Sequence, residues 1–174
     1  MEYFRLMQDR RYGGEVHFDV FSLFRHPKDN KASNFHHLAP MTMRKVRTTE
    51  FSFFPDVMDM QMYIISDAMN DILSLFLKDV DYRILCILNS EKKFYIYYYA
   101  YMFATLDCFS AKSETNIDRS KISKLVLKKD MIQGRDIFKL GGVNCHALVV
   151  SLPVAEAILR RNFKGIKIVK TEFE

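Results

Sequence analysis

Twice in this chain an apolar strand runs into a helix through a single serine. The first instance is YIISDAMNDIL, Tyr63–Leu73, and the second is LVVSLPVAEAIL, Leu148–Leu159. The arrangement leaves few folds open. Tyr63, Ile64 and Ile65 form a short apolar run suited to a strand, whereas Met69, Ile72, Leu73, Phe76 and Leu77 follow at helical spacing. A chain that changes period there must lay a helix against the sheet the strand belongs to. Serine suits the hinge because its hydroxyl accepts from N–H groups that the first helical turn leaves free. Asp67 adds negative charge at the positive end of the helix dipole.

The two units align at an offset of 85, with Ile65 on Val150, Ser66 on Ser151, Asp71 on Glu156 and Leu73 on Ile158. The same offset sets Phe53 on Phe138. With one residue dropped in the helix, Arg83 meets Lys167 and Leu85 meets Val169. The pattern is that of two strand–strand–helix–strand halves, about residues 51–88 and 136–170. Chance resemblance between two α/β stretches is the competing account.

A strand–turn–helix junction can also hold a phosphate, because helix N-termini favour anions. A phosphate loop needs glycines for close backbone approach. The junctions read IISDA and VVSLP, without glycine, and Pro153 removes a donor while Asp67 repels an anion. Ser66 and Ser151 are therefore expected to be helix caps.

Around these units, EYFRLMQ reads as a first strand and EVHFDVF as a partner paired across Gly13–Gly14. Residues 25–45 read as a polar loop. DYRILCIL, KFYIYYYAYMFATLDCF (about 94–106) and ISKLVLKK are further strands. DIFKL and VNCHALVVS form a hairpin, with Gly141–Gly142 as a two-residue turn. The expected architecture is a single α+β domain, residues 1–174. It has a twisted, mixed or mainly antiparallel sheet of about seven strands, with two main helices packed on it.

The chemistry-bearing residues form no catalytic constellation. His17, His26, His36, His37 and His146 lack metal spacing, and adjacent His36–His37 rarely converge on one ion. Cys145–His146 are neighbours on a strand and point to opposite faces. Cys86, Cys108 and Cys145 are too dispersed for a disulfide frame and suit a reducing compartment. No apolar run reaches the roughly eighteen residues of a spanning helix. The start lacks a basic segment followed by an apolar core, so the cytoplasm is the expected address. Catalytic, cofactor and metal residues are expected to be absent.

Binding is the remaining class. The net charge of +5 is uneven: residues 1–90 hold 11 Lys/Arg against 12 Asp/Glu, and residues 91–174 hold 15 against 9. A basic second half suits an acidic partner, nucleic acid or an anionic membrane surface. On FYIYYYAYMF, Tyr95, Tyr97, Tyr99, Tyr101 and Phe103 share one face; Phe94, Ile96, Tyr98, Ala100 and Met102 share the other. Such a strand is a two-sided core strand, a protein anchor or a stacking surface for single-stranded nucleic acid. Met58, Met60 and Met62 alternate in the same manner, as core or as an adaptable contact. Arg160, Arg161, Lys164, Lys167 and Lys170 read as a solvated basic face.

The order of these signals resembles a known family. FPDVM (54–58), YIISDAMNDIL (63–73), ATLDCFSAKSE (104–114), GRDIFKL (134–140) and LVVSLPVAEAILRRNFKGIKIV (148–169) follow in sequence. This is similar to the eleventh immunity-protein family of bacterial polymorphic toxin systems, formerly a domain of unknown function. Pro55–Asp56, Ser66, Leu106–Asp107, Ser110, Ile137–Phe138, Ser151 and Gly165 fall on its pattern. Lys139, where Arg is usual, and Pro153 depart from it. The resemblance implies a non-catalytic protein that binds a cognate toxin domain, one with an acidic surface if charge guides the pair, and neutralises it by occlusion. It implies no cofactor and does not locate the toxin-binding residues. The alternative is a single-stranded nucleic-acid-binding protein using the tyrosine strand and the basic second half.

Overall fold

The computed structural model describes residues 1–11, 39–49, 51–59, 62–89, 92–132 and 134–174. Along the chain come β1 (Tyr3–Gln8), β2 (Met41–Lys45), β3 (Val57–Met58), β4 (Ile64–Ser66), α1 (Asp67–Leu73), β5 (Tyr82–Asn89) and β6 (Phe94–Tyr101). They are followed by β7 (Thr105–Leu106), β8 (Glu114–Thr115), β9 (Ile122–Lys124), β10 (Val126–Leu127) and β11 (Ile137–Leu140). β12 (Leu148–Ser151), α2 (Leu152–Leu159), β13 (Ile166–Lys170) and β14 (Glu172–Phe173) complete the described elements. The strand expected at EVHFDVF, its Gly13–Gly14 turn, Met60 and four of the histidines lie outside the described residues.

The fold is α+β, and its strands form several mixed sheets. Instead of one sheet of about seven strands, the described residues form two five-stranded sheets and two two-stranded ones. The first sheet has the order β13-β1-β12-β11-β7 and the second β2-β5-β6-β4-β3. In each, the strand before a helix and the strand after it run parallel, separated by one antiparallel strand. β6 separates β4 from β5, and β1 separates β12 from β13. In each, a short strand also pairs antiparallel with the strand that enters the helix: Val57 lies opposite Ile65, and Ile137 opposite Val150. The register therefore matches Met58, not Phe53, with Phe138. Phe53 instead precedes β3 and packs on Gly165.

Burial explains the division. Ile65, Val57, Leu6, Leu148 and Val150 turn toward one shared core with Met69, Ile72, Leu73, Val154, Ala155 and Ile158 of the helices. The alternate residues turn the other way, as the period-two pleat requires. Tyr3, Phe138, Leu140 and Val149 back the first sheet, while Ile64, Leu85, Ile87, Tyr98 and Ala100 back the second.

Three local expectations change. Met41–Lys45, read as loop, pairs parallel with β5, with Met41 opposite Ile84 and Met43 opposite Cys86. The aromatic strand ends at Tyr101, and the chain then passes to the first sheet, where β7 joins β11. Phe103, buried at this crossing, packs edge-on against Tyr63 at 5.9 Å. The hairpin between β11 and β12 closes through a longer loop than two residues. Leu140 N–H donates to Ala147 O at 2.9 Å, and Gly141 N–H turns away to Leu106 O at 2.8 Å. A Cβ on Gly141 would lie 3.1 Å from that carbonyl, so the glycine permits close approach of β7.

Candidate interaction surface

The two serine junctions are built alike. Ser66 has φ −66°, ψ 164° and Ser151 φ −71°, ψ 165°, both extended, as N-cap residues are. Ser66 Oγ accepts from Met69 N–H at 3.2 Å and donates to Asp56 Oδ1 at 2.5 Å. Ser151, fully buried, donates to Asp136 Oδ1 at 2.6 Å and receives no N–H from its helix, whose second residue is Pro153. It stands at the cap position, but its hydroxyl serves the aspartate. The backbones repeat the pairing, Ser66 N–H to Asp56 O at 2.9 Å and Ser151 N–H to Asp136 O at 2.8 Å. Each junction thus receives a carboxylate from the residue immediately before β3 or β11. The anion beside each serine hydroxyl is the protein's own. Asp136 escaped the motif reading, and Asp56 entered it only through Pro55–Asp56, although DVM and DIF, an acid before an apolar pair, mark both.

Burial works against the thiolate at Cys108 and Cys145. Cys86 and Cys108 are buried. Burial pushes the Cys108 thiol up to about 11, and burial also raises Cys145, whose sulfur lies 3.9 Å from Arg5 Nη2. Among the described residues, no group of three or more His, Cys, Asp or Glu side chains could hold a metal ion. An open groove of about 640 Å³ runs between α1 and the segment after α2. Asp56, Asp71, Arg161 and Lys164 line it beside Phe54, Ile72, Leu75 and Phe163. Asp56 is already engaged there, accepting Lys164 N–H at 2.6 Å, and Arg161 Nη1 donates to Ala157 O at 3.0 Å.

The tyrosine strand resolves into two environments. Tyr98 is core, and its hydroxyl donates to Pro55 O at 2.9 Å. On the other face, α1 covers one end: Tyr99 donates to Asp67 Oδ1 at 2.9 Å and Tyr101 to Asn70 Oδ1 at 2.6 Å. Burial, then the Asp67 bond, pushes the Tyr99 hydroxyl up to about 12. Beyond the helix the same face opens to solvent. Tyr95 is 63% exposed and its ring centroid lies 5.4 Å from that of Tyr97.

Register carries this open face across three strands. Tyr97 lies opposite Cys86, and Cys86 opposite Met43; Tyr95 lies opposite Leu88, and Leu88 opposite Lys45. Met41 and Met43 are 53% and 54% exposed, and Tyr82 is 46%. The result is an exposed aromatic and methionine surface on rigid strands, the composition that protein interfaces favour. Lys45 is its one cation among the described residues of β2, β5 and β6 that share the face. Phosphate backbones are held by several cations at once, so this face is poorly suited to nucleic acid. The expected basic face is partly neutralised: Lys170 pairs with Glu2, and Arg160 lies 3.7 Å from Glu156.

Compared with protein families, the chain matches the model of the Immunity protein family (Imm11) over residues 19–172. It belongs to the Imm11 immunity protein family. The match spans both serine junctions and, β1 apart, every strand of the two main sheets of this Imm11 protein. Membership implies a cognate toxin as partner, in general terms. No curated protein matches the chain. Among the described residues no helix is long and apolar enough to cross a membrane.

Proposed function

We propose that this Imm11 chain is a cytoplasmic, non-catalytic inhibitor that binds its cognate toxin domain in a stoichiometric complex and occludes it. The observation that carries the reading is the face formed by exposed Met41, Met43, Tyr82 and Tyr95 with half-buried Tyr97. A monomer gains nothing by displaying aromatic and thioether surface on a braced sheet, whereas a binding protein gains desolvated anchors. An inhibitor interface of ordinary size buries about 1,600 Å² in total, more than this patch alone, so neighbouring loops join the contact. The net charge of +5 suits a toxin with an acidic surface, through faster encounter.

Two structural readings go with this proposal. The two units are halves of a duplicated strand–strand–helix–strand element, supported by their common strand order and their twin Asp–Ser pairs. The chain acts as a single domain, supported by the core that both sheets share.

Co-expression with the toxin domain encoded beside its gene tests the function. The unaltered chain is expected to restore growth. Met43→Asp with Tyr95→Asp, melting unchanged, is expected to weaken toxin binding at least about tenfold. Full affinity in that double variant refutes this face as the interface. A shift of mixed single-stranded oligonucleotides at micromolar protein and low salt would favour nucleic-acid binding instead.

A further inference from the structure

The loop between β8 and β9, Asn116 to Lys121, carries a side chain that its surroundings do not explain. Ile117 has 106% of reference exposure, more than any other large apolar residue among those described. A bare β-branched side chain at a turn gains nothing from burial, so a flexible or polar tip would be the ordinary solution. This tip is instead braced on every side. Lys121 N–H donates to Asn116 Oδ1 at 2.9 Å, and Asn116 Nδ2 to Ser120 Oγ at 2.9 Å. Ser120 donates to Asp118 Oδ1 through N–H at 3.1 Å and Oγ at 2.8 Å. From the neighbouring loop, Asn144 Nδ2 donates to Asp118 O at 2.6 Å and Asn144 N–H to Arg119 O at 3.0 Å. Arg119, at φ +56°, turns inward, donating to Gly142 O at 3.1 Å with its guanidinium 5.5 Å above the Phe109 ring.

The loop is therefore tied by hydrogen bonds within the protein, and Ile117 stands bare at its tip beside the exposed Asp118 and Arg119. Holding a non-glycine residue at positive φ is costly and persists where surrounding structure enforces it. A loop fixed in this way loses little conformational entropy on association.

We propose that the Asn116–Lys121 loop is a preformed plug that inserts Ile117 into a concave apolar pocket on the cognate toxin. This rests on the toxin-binding reading above and adds to it a contact made by insertion rather than by a face. The pocket it fits accepts one β-branched side chain, while Asn116 and Asp118 Oδ1 stay bonded within the loop. Enzyme substrate pockets are concave and mostly apolar, so a plug of this shape blocks a toxin by filling its cleft.

The test uses the full chain and the toxin domain encoded beside its gene, in a titration of unaltered protein, Ile117→Asp, Ile117→Val, Asn144→Ala and Leu159→Asp. Leu159, 66% exposed at the end of α2, is the control for an exposed apolar residue elsewhere on the surface. With melting temperatures unchanged, Ile117→Asp is expected to raise Kd on the order of 30-fold. Ile117→Val and Leu159→Asp should bind as the unaltered chain does, and Asn144→Ala should slow association with the tip chemistry intact. Full affinity in Ile117→Asp, or equal loss in Leu159→Asp, overturns the plug and leaves toxin binding standing. Unchanged kinetics in Asn144→Ala overturn its preorganisation. No binding by the unaltered chain overturns the toxin reading and the plug together.

Discussion

At the scale of single residues, the fold turns on two serine–aspartate pairs and one glycine. Ser151 is fully buried and its hydroxyl is the donor that Asp136 Oδ1 receives at 2.6 Å. Ser151→Ala leaves that half-buried carboxylate short of a partner, so a loss of about 1–3 kcal/mol in urea unfolding is expected. A double-mutant cycle with Asp136→Ala should show a coupling that a pure cap would not produce, because a cap acts on the helix and not on Asp136. Gly165 stands at φ +66°, and an added Cβ would lie 2.7 Å from Pro55 Cβ and 2.9 Å from Phe53 Cε1. Gly165→Ala should cost about 1–3 kcal/mol in thermal or urea melts, through strain and overpacking together. The serines were legible in sequence, because a polar residue between an apolar run and a helical period has few other uses. What Ser151 bonds to was not legible, since an aspartate fifteen residues away is placed by the hairpin between them. The Asp-apolar-apolar repeat at 56–58 and 136–138 was the available signal.

At the scale of elements, alternation told which tyrosines share a face but not what covers each face. The strand predicted over 94–106 ends at Tyr101 because the chain must change sheets to bring Thr105 beside Lys139. The Gly–Gly hairpin was misread for a related reason. Gly142 has φ +73°, as a tight turn would want, but Gly141 is small because β7 passes close by. Such contacts are non-local, and a local motif cannot report them. The covering of the tyrosine face is likewise tertiary: α1 begins at Asp67 beside Tyr99 and runs on past Tyr101, so its hydrogen bonds reach those two tyrosines and not Tyr95. Tyr99→Phe removes the hydroxyl bonded to Asp67 and is expected to cost about 0.5–1.5 kcal/mol in urea unfolding. Tyr95→Phe, at the open end, should leave stability within about 0.5 kcal/mol. The contrast locates the boundary between the structural and the exposed parts of one strand.

At the scale of the whole molecule, the two main sheets are tied across their junction as well as through a shared core. Asp56 N–H donates to Lys164 O at 2.8 Å, Gln8 N–H to Asp59 Oδ2 at 3.1 Å, and Tyr63 hydroxyl to Leu6 O at 3.0 Å. Arg10 pairs with Asp59 at 2.8 Å across the same seam. Between Gln8 and Arg10, the bonds of Asp9 to Arg11 hold its carboxyl at about 2, below the ordinary 3.8. The unfolded chain therefore takes up this proton at higher pH than the folded one. The stability that Asp9 contributes is present above about pH 4 and is lost as pH falls through about 2. Asp118, bonded by Ser120, and Glu174, bonded by Ser110, are lowered too and act in the same direction. Urea midpoints from pH 5 to 2 should fall, and Asp9→Asn should flatten part of that fall. The seam also decides how the molecule comes apart. Separating the sheets would expose Leu6, Val57, Ile65, Leu148 and Val150 together with both helices, since all belong to one core. Neither half keeps enough buried apolar surface to compensate, so one cooperative transition is expected. The chain has no tryptophan, and the second sheet holds the tyrosine-rich β6, so tyrosine fluorescence reports that sheet while far-ultraviolet dichroism reports both. Coincident denaturation curves from the two probes are the expected result. An earlier fluorescence transition would instead show the second sheet opening alone, and would place the seam, rather than the core, as the weaker link.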